Sequence, residues 1–394
     1  MRLGVLGSDA GIEQVVAAAR RRGHSIASVA GVAAATPGDW GPLLDPAACD
    51  AVLVGADGWD QSRADAVRTL VQAGRPLLLS HPLELSMVWA FELEMIRRDS
   101  GAVLLPLLPT RLHPFVDRLR RTIMAGLAGV DPPGPPESLA FERRMPDRSR
   151  QAVLVQLARD ADLVRLLVGE PDRLSTLSGP DQQSVWNSLA VGFSGPGRIP
   201  VRWQVLPGDA PGLTIRLQSV RGITTLDIPD DPSRPWTWDD GGTESAAYDP
   251  GGPILDILEL AVASPGTTPL PPAATWADAG RAIELAETVP RSLAKGRAID
   301  LHHEEFSELG TFRGTMASLG CGLVLTALLV LVAATLVAGI AQEIDWGLGK
   351  TIANAWPMIV LGVLAAFLAL QLLPLAIGGA ETGPAAPPAP REHE

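Results

Sequence analysis

The sequence predicts an α/β protein: a doubly wound parallel sheet, then an α+β domain with an open antiparallel sheet, then a two-helix transmembrane hairpin. Val- and Leu-rich runs alternate with helix-period segments that end at glycine in the first part. Alternating apolar and polar runs, separated by Gly and Pro, fill the second part. Two stretches without a charged residue follow. We place the parts at residues 1–126, 127–300, 301–318 (juxtamembrane linker), 319–377 (two spans, 319–340 and 355–377) and 378–394 (disordered tail).

The first domain alternates strands with helices. Its predicted strands are RLGVLG, HSIASVAGVA, DAVLVGAD, PLLLS and AVLLPLL. Its predicted helices are GIEQVVAAARRRG, SRADAVRTLVQAG, SMVWAFELEMIRRD and HPFVDRLRRTIMAGLAG. Strands that are buried on both faces appear as continuous apolar runs, and helices of this period cover such a sheet. We therefore predict a Rossmann-like sheet, whose ligands bind beyond the carboxyl ends of the strands.

The second domain begins at the turn cluster DPPGPP, and we interpret the following ESLAFERRM as its opening helix. The segment QLARDADLVRLLVGEP is predicted to be the second half of an amphipathic helix. Predicted strands are DRLSTLSG, QSVWNSLAVGF, IPVRWQVLP, GLTIRLQSV and GITTLDIP. A Pro/Gly-rich stretch from YDPGGP to TTPLPPAAT then interrupts the sheet before a last helix, WADAGRAIELAETVPRSLAKG.

Each uncharged stretch could cross a hydrocarbon core of ~30 Å at about 1.5 Å per residue. Four basic residues precede the first span: Arg291, Lys295, Arg297 and Arg313. The connecting loop QEIDWGLGK carries one lysine against two acidic residues, so the positive side is that of the soluble domains. The N-terminus lacks the features of a signal peptide. We expect an integral protein of the inner (cytoplasmic) membrane, with the lipid bilayer as partner and the soluble domains and tail cytoplasmic.

Composition argues against several partners. The net charge is −12, and nucleic-acid binding relies on an excess of Lys and Arg. Two cysteines, Cys49 and Cys321, are too few for a disulfide or zinc framework. The adjacent histidines of DLHHEEF would point about 100° apart on a helix, so no metal site is predicted. An open sheet commonly pairs with a copy of itself, which predicts a homodimer.

Several strings, in this order, carry a resemblance to a known family: SHPLEL, GAVLLPLLPTRLHPFVDRLRRTI, RDADLVRLLVGEP and WADAGRAIELAETVPRSLAKGRAI. They resemble the Gfo/Idh/MocA family of nicotinamide-dependent oxidoreductases, which act on sugars and polyols. The resemblance covers roughly residues 1 to 300. It implies NAD or NADP as the cofactor and a small-molecule ligand in the cleft between the domains.

The cofactor turn departs from the family's Gly-x-Gly-x-x-Gly. The chain reads Gly7-Ser8-Asp9-Ala10-Gly11, so that Asp9 stands where the middle glycine lets the backbone approach a pyrophosphate. We expect cofactor binding to be weak or absent, and Asp9 to cap the following helix.

Two further cofactor positions also differ from the family. Gly31 stands where the family has a ribose-binding acid. The loop VGADGWDQS lacks the family's Thr/Ser-Pro-Asn pattern and has Asp57 where the family has proline. Trp59 in this loop could stack on an adenine or pack beneath the next helix, and packing is favoured.

The catalytic positions also differ. The family uses the lysine of Glu-Lys-Pro and an Asp-x-x-x-His pair, and the resemblance aligns these with His81, Val155 and Arg159. Arg159 offers only donors and cannot remove a proton. His81 is the single candidate base. Asp162 lies three residues after Arg159, and we expect the two to form an ion pair on a partly exposed helix face, extended by Arg165.

Arg111 and His113 resemble substrate-side positions of the family. They could bind an anionic group of a substrate. The alternative is that RLHP only begins a helix.

These observations leave three functional hypotheses. The first is a membrane-anchored oxidoreductase homologue without a working catalytic set, serving as a ligand-binding or scaffolding module at the cytoplasmic membrane face. The second is an active NAD(P)-dependent oxidoreductase on a sugar or polyol, with His81 as base. The third makes the hairpin an element that brings the soluble domains to a membrane protein partner.

Overall fold

The computed structural model describes residues 1–30, 40–129, 134–177, 186, 188–195, 199–264, 272–301 and 336. The chain divides into two units, Met1–His302 and His303–Glu394, and every element below belongs to the first. Within the described ranges, no helix is long and apolar enough to cross a membrane. The predicted spans 319–340 and 355–377 and the tail lie outside those ranges, apart from Leu336, and stay predictions.

The first sheet is parallel, as predicted, with the strand order β2-β1-β3-β4-β5 among the described residues. Its strands are β1 Arg2–Leu6, β2 Ser25–Ala30, β3 Ala51–Val54, β4 Leu77–Ser80 and β5 Leu104–Leu107. The covering helices are α1 Ala10–Arg21, α2 Gln61–Gln72, α3 Met87–Ser100 and α4 Pro114–Leu127. Successive side chains of β3 enter opposite cores: Val52 and Val54 pack towards α2 and α3, and Leu53 packs towards α1. Both faces are therefore buried.

The second sheet contains nine strands in the part of the chain that the structure describes, ordered β13-β12-β11-β10-β6-β9-β8-β7-β14. They are β6 Pro136–Met145, β7 Arg173–Leu177, β8 Ala190–Ser194, β9 Val201–Pro207, β10 Gly212–Ser219, β11 Gly222–Pro229, β12 Trp236–Asp239, β13 Thr243–Ala246 and β14 Ile299–Asp300. The helix α5 Arg150–Val168 follows β6, as predicted. β6 and β9 pair in parallel, so this sheet is mixed rather than antiparallel.

The helix predicted for ESLAFERRM is wrong, because this segment is strand β6. Leu139, Phe141, Arg143 and Met145 alternate inward along it. Alternation of apolar and polar residues would have indicated a strand, but Arg143 is a charged residue at an inward-facing position and interrupts that alternation. Arg143 is 3% exposed and pairs with Asp160 of α5 (Nε–Oδ2 2.9 Å), which makes the burial tolerable.

The sequence analysis also missed a helix, in the stretch that we predicted to interrupt the sheet. α6 Gly251–Ala263 lies there and packs on α1 and the first sheet. Proline is tolerated in the first turn of a helix, so Pro253 does not break it. A Cβ at Gly251 would lie 2.5 Å from the carbonyl oxygen of Gln14, so glycine allows the close approach to α1. The final helix, α7 Trp276–Lys295, is present as predicted.

Replacement of a buried residue of α6 tests this packing. Leu255 is fully buried, whereas Leu260 on the same helix is 66% exposed. We expect Leu255→Ala to lower the free energy of unfolding by about 2–5 kcal/mol. Leu260→Ala should change it by no more than about 0.5 kcal/mol. Denaturant unfolding of the full chain measures both values, and equal effects would contradict the packing of α6.

Candidate functional site

Asp9 occupies the start of α1. Its Oδ1 accepts hydrogen bonds from the backbone N–H groups of Gly11 (2.9 Å) and Ile12 (3.0 Å). Its Oδ2 accepts one from the N–H of Ala56 (2.8 Å) and one from the hydroxyl of Ser80. The predicted cap is therefore confirmed, and one carboxylate also joins the first turn to the segments after β3 and β4.

The segment after β3 lies directly against the first turn. Asp57 N–H donates to the carbonyl of Ser8 (2.9 Å). A Cβ at Gly55 would lie 2.3 Å from the Ser8 backbone, so only glycine permits this approach. The Arg63 guanidinium donates to the Asp57 carbonyl and lies beside Gly7. The turn before α1 and the segment after β3 are therefore held together by a direct backbone hydrogen bond.

His81 follows β4 and is only 4% exposed. Its Nε2 is buried without a hydrogen-bond partner among the described residues. Burial, reinforced by the nearby Arg159 cation, lowers the pKa of His81 to about 3. An imidazole with this pKa is neutral at pH 7 and is a weak proton acceptor, since an effective general base has a pKa near the working pH.

Arg159 projects from α5 towards the carboxyl end of β4. Its Nε donates to the carbonyl oxygen of His81 (2.9 Å), and the residue is exposed. The pairing that we predicted with Asp162 is wrong, because no ion pair joins the two within the described ranges. The terminal nitrogens of Arg159 have no hydrogen-bond or ion-pair partner there either.

Asp162 instead pairs with Arg111, which lies 51 positions earlier in the sequence (Nη1–Oδ1 3.0 Å). Both are almost fully buried, so the predicted partly exposed face is also wrong at this position. Arg111 lies 3.6 Å from Asp278 as well. Arg111 therefore joins the segment after β5 to α5 and α7.

Burial raises the pKa of Asp162 to about 6. Arg111 and Arg165 act in the opposite direction, whereas Asp278 and Glu170 raise it further. Burial is the largest of these effects, so the carboxyl group takes up a proton more readily than an exposed aspartate.

Arg165 does not extend a strip with Arg159. It binds Glu170 (Nε–Oε1 2.8 Å) and Asp278 (Nη2–Oδ1 3.0 Å), and so attaches the end of α5 to the start of α7. Nothing in the local spacing pointed to Asp278, which lies 113 positions away.

His113 is buried at the start of α4. Its Nδ1 accepts a hydrogen bond from Phe115 N–H (2.9 Å), which makes it the N-cap. The ring stacks on Trp236 with 3.9 Å between centroids and contacts Tyr248 edge-on. Burial lowers the pKa of His113 to about 4. Of the two predicted alternatives, this arrangement matches the start of a helix.

Trp59 packs, as favoured, against the edge of Trp89 with 5.5 Å between centroids. Gly31 and most of DLHHEEF lie outside the described residues. Within the described ranges, no group of three or more His, Cys, Asp or Glu side chains could hold a metal ion.

No family model matches the sequence, and no curated protein matches it. Solved structures do match. A myo-inositol dehydrogenase from Corynebacterium glutamicum has a TM-score of 0.57 at 14% identity, covering 77% of this chain and 99% of its own. A UDP-N-acetylglucosamine 3-dehydrogenase from Acidithiobacillus ferrooxidans has a TM-score of 0.56 at 19% identity, covering 74% and 97%.

A third match is a 3-ketoreductase from Actinomadura kijaniata, in complex with TDP-benzene and NADP. It has a TM-score of 0.58 at 16% identity, covering 74% of this chain and 97% of its own. At these identities the likeness shows the fold, which this chain shares with oxidoreductases. In that fold the pyrophosphate of a dinucleotide lies at the N-terminus of the first helix. In this chain two N–H groups at that position donate to the Asp9 carboxylate.

The raised pKa of Asp162 predicts a pH dependence of stability. Between pH about 4 and about 6 the folded chain holds a proton that the unfolded chain has released, so this group's contribution to stability falls as the pH rises. Asp162→Asn removes this titration. The stability difference, wild type minus variant, should therefore decline by at most about 1.4 kcal/mol per pH unit across that window.

Denaturant unfolding at several pH values measures this difference. Asp65→Asn, which removes a carboxylate that is 63% exposed, is the matched control. A difference that stays constant or increases with pH for Asp162→Asn would show that burial does not dominate at this site.

Proposed function

We propose that this chain is a membrane-anchored homologue of the Gfo/Idh/MocA oxidoreductases that no longer transfers hydride. It serves instead as a ligand-binding or scaffolding module at the cytoplasmic face of the membrane. The observation that carries the proposal is the position of the Asp9 carboxylate, which takes the hydrogen-bond donors that a pyrophosphate would use in this fold.

Electrostatics oppose a dinucleotide at this turn. Two like charges about 4 Å apart repel by about 4 kcal/mol at the effective dielectric near a protein surface. Displacing Asp9 instead would break its bonds to Ala56 and Ser80 as well as the helix cap. Both routes make cofactor binding costly, so we expect NAD or NADP to bind weakly or not at all.

The catalytic positions support the same proposal. General base catalysis contributes about 10²–10⁴-fold and needs a base near the working pH. His81 has a pKa of about 3, Val155 has no ionisable group, and Arg159 is a donor only. No aligned residue meets the requirement.

A ligand-binding role is supported by Arg159. Its Nε binds the carbonyl oxygen of His81 at the carboxyl end of β4, the edge at which doubly wound sheets bind ligands, and its terminal nitrogens have no partner among the described residues. A planar guanidinium suits a carboxylate or phosphate group. We therefore propose that the cleft ligand presents an anionic group to Arg159.

Dinucleotide titration tests the loss of cofactor binding. NADH or NADPH added to the full chain in detergent should leave the melting temperature unchanged, whereas ligand at 100 times its Kd would add about 2.7 kcal/mol. Asp9→Gly should improve any residual binding. Asp60→Gly removes the cap of α2 without altering the first turn, and is the matched control.

Two results would contradict the proposal. One is a tight, stoichiometric dinucleotide retained by the wild-type chain. The other is oxidation of a polyol with either cofactor that His81→Ala abolishes, which would establish the hypothesis of an active enzyme with His81 as base.

The anchoring rests on the uncharged stretches 319–340 and 355–377 and the basic residues before them. We expect both the soluble domains and the C-terminal REHE to face the cytoplasm. Protease added outside intact cells should leave an epitope fused after REHE uncut, and should cut it once the membrane is permeabilised. Cutting in intact cells would contradict this topology.

A further inference from the structure

A cavity of about 240 Å³ lies where α4, the end of α5 and the start of α7 meet. Its lining includes three arginines, two carboxylates and the N-cap residue of α7: Arg111, Arg120, Arg165, Glu170, Asp278 and Thr275. Arg159 is not part of the lining. The cavity is therefore separate from the ligand position proposed above.

The ion pairs around this cavity leave two groups of N–H donors unused. Arg165 binds Glu170 and Asp278, and Arg111 binds Asp162 through Nη1. The Nε of Arg111 also has no hydrogen-bond partner among the described residues, but it is fully buried and is not accessible from the cavity. Arg120 has no ion pair or hydrogen bond within the same part of the chain.

Unused guanidinium donors are typically satisfied by the oxygen atoms of an anion. Arg120 is the lining guanidinium whose N–H donors have no partner among the described residues. Guanidinium groups bind phosphate and carboxylate oxygens through parallel hydrogen bonds. We propose that this cavity is a binding site for a small organic oxyanion, a phosphate or carboxylate group held by Arg120, with Arg111 and Arg165 adding positive charge to the lining.

The other lining groups limit the size and chemistry of this ligand. The volume of about 240 Å³ admits a small organic molecule. Glu170 and Asp278 also line the cavity, and carboxylate oxygens accept hydrogen bonds from hydroxyl groups. The site therefore suits a compact ligand with one oxyanion group and one or more hydroxyls.

Calorimetric titration of the full chain in detergent tests this site, with inorganic phosphate and glycerol 3-phosphate as probes. Ionic strength is held constant with sodium chloride, and glycerol is the neutral control. Arg120→Ala should weaken binding about ten- to hundredfold, as expected for the loss of a hydrogen bond to a charged group. The fold should be unaffected, because Arg120 makes no ion pair or hydrogen bond with the described residues.

Two matched variants make the test specific. Arg121→Ala removes the same charge from the same helix, at a side chain that is 73% exposed and paired with Asp117. Arg159→Ala removes the cation of the cleft. Both should keep the affinity within about twofold of the wild type, because neither side chain lines the cavity.

Three results would overturn the inference. The first is the absence of binding of either probe to the wild type. The second is an equal loss in Arg120→Ala and Arg121→Ala, which would indicate an effect of overall charge. The third is a loss in Arg159→Ala alone, which would place the oxyanion in the cleft and support the proposed function instead.

Discussion

The Asp9 carboxylate connects the three segments that border the top of the first sheet. It accepts hydrogen bonds from two N–H groups of α1, from Ala56 after β3 and from Ser80 at the end of β4. Hydrogen bonds to a charged group contribute about 1.5–3 kcal/mol each. An internal anion thus does at this turn what a bound phosphate does in many doubly wound proteins, and the approach of Gly55 to Ser8 follows from it.

A second set of charged contacts attaches α5 to the first sheet and to α7. Arg159 binds the carbonyl of His81, Asp162 binds Arg111, and Arg165 binds Asp278, from positions three residues apart on this helix. Each of these contacts is to a residue on another element. Helix α5 is therefore attached through side chains to three other parts of the first unit, and the terminal nitrogens of Arg159 have no partner among the described residues.

Much of the fold could be predicted from local patterns, and the site could be predicted only in part. The apolar strands, α5, α7 and the Asp9 cap follow from periodicity and capping chemistry. Strand β6 was hidden because Arg143 takes an inward position that only its distant partner Asp160 makes tolerable. The Arg111–Asp162 pair spans 51 positions, so an i+3 rule selected the wrong partner. Arg120 has no sequence signal, since its importance comes from the cavity that it lines.

The most direct test of the role of Asp9 is the stability of Asp9→Gly with and without acetate. Replacing an ordinary N-cap by glycine costs only a few tenths of a kcal/mol. If Asp9 connects three segments, the loss should exceed about 2 kcal/mol. Acetate should then restore part of it, relative to sodium chloride at equal ionic strength, and leave the wild type unchanged. If the free energy of unfolding falls by only about a few tenths of a kcal/mol and acetate does not alter it, Asp9 is a helix cap alone. The claim that its carboxylate occupies an anion site and connects three segments would then be wrong.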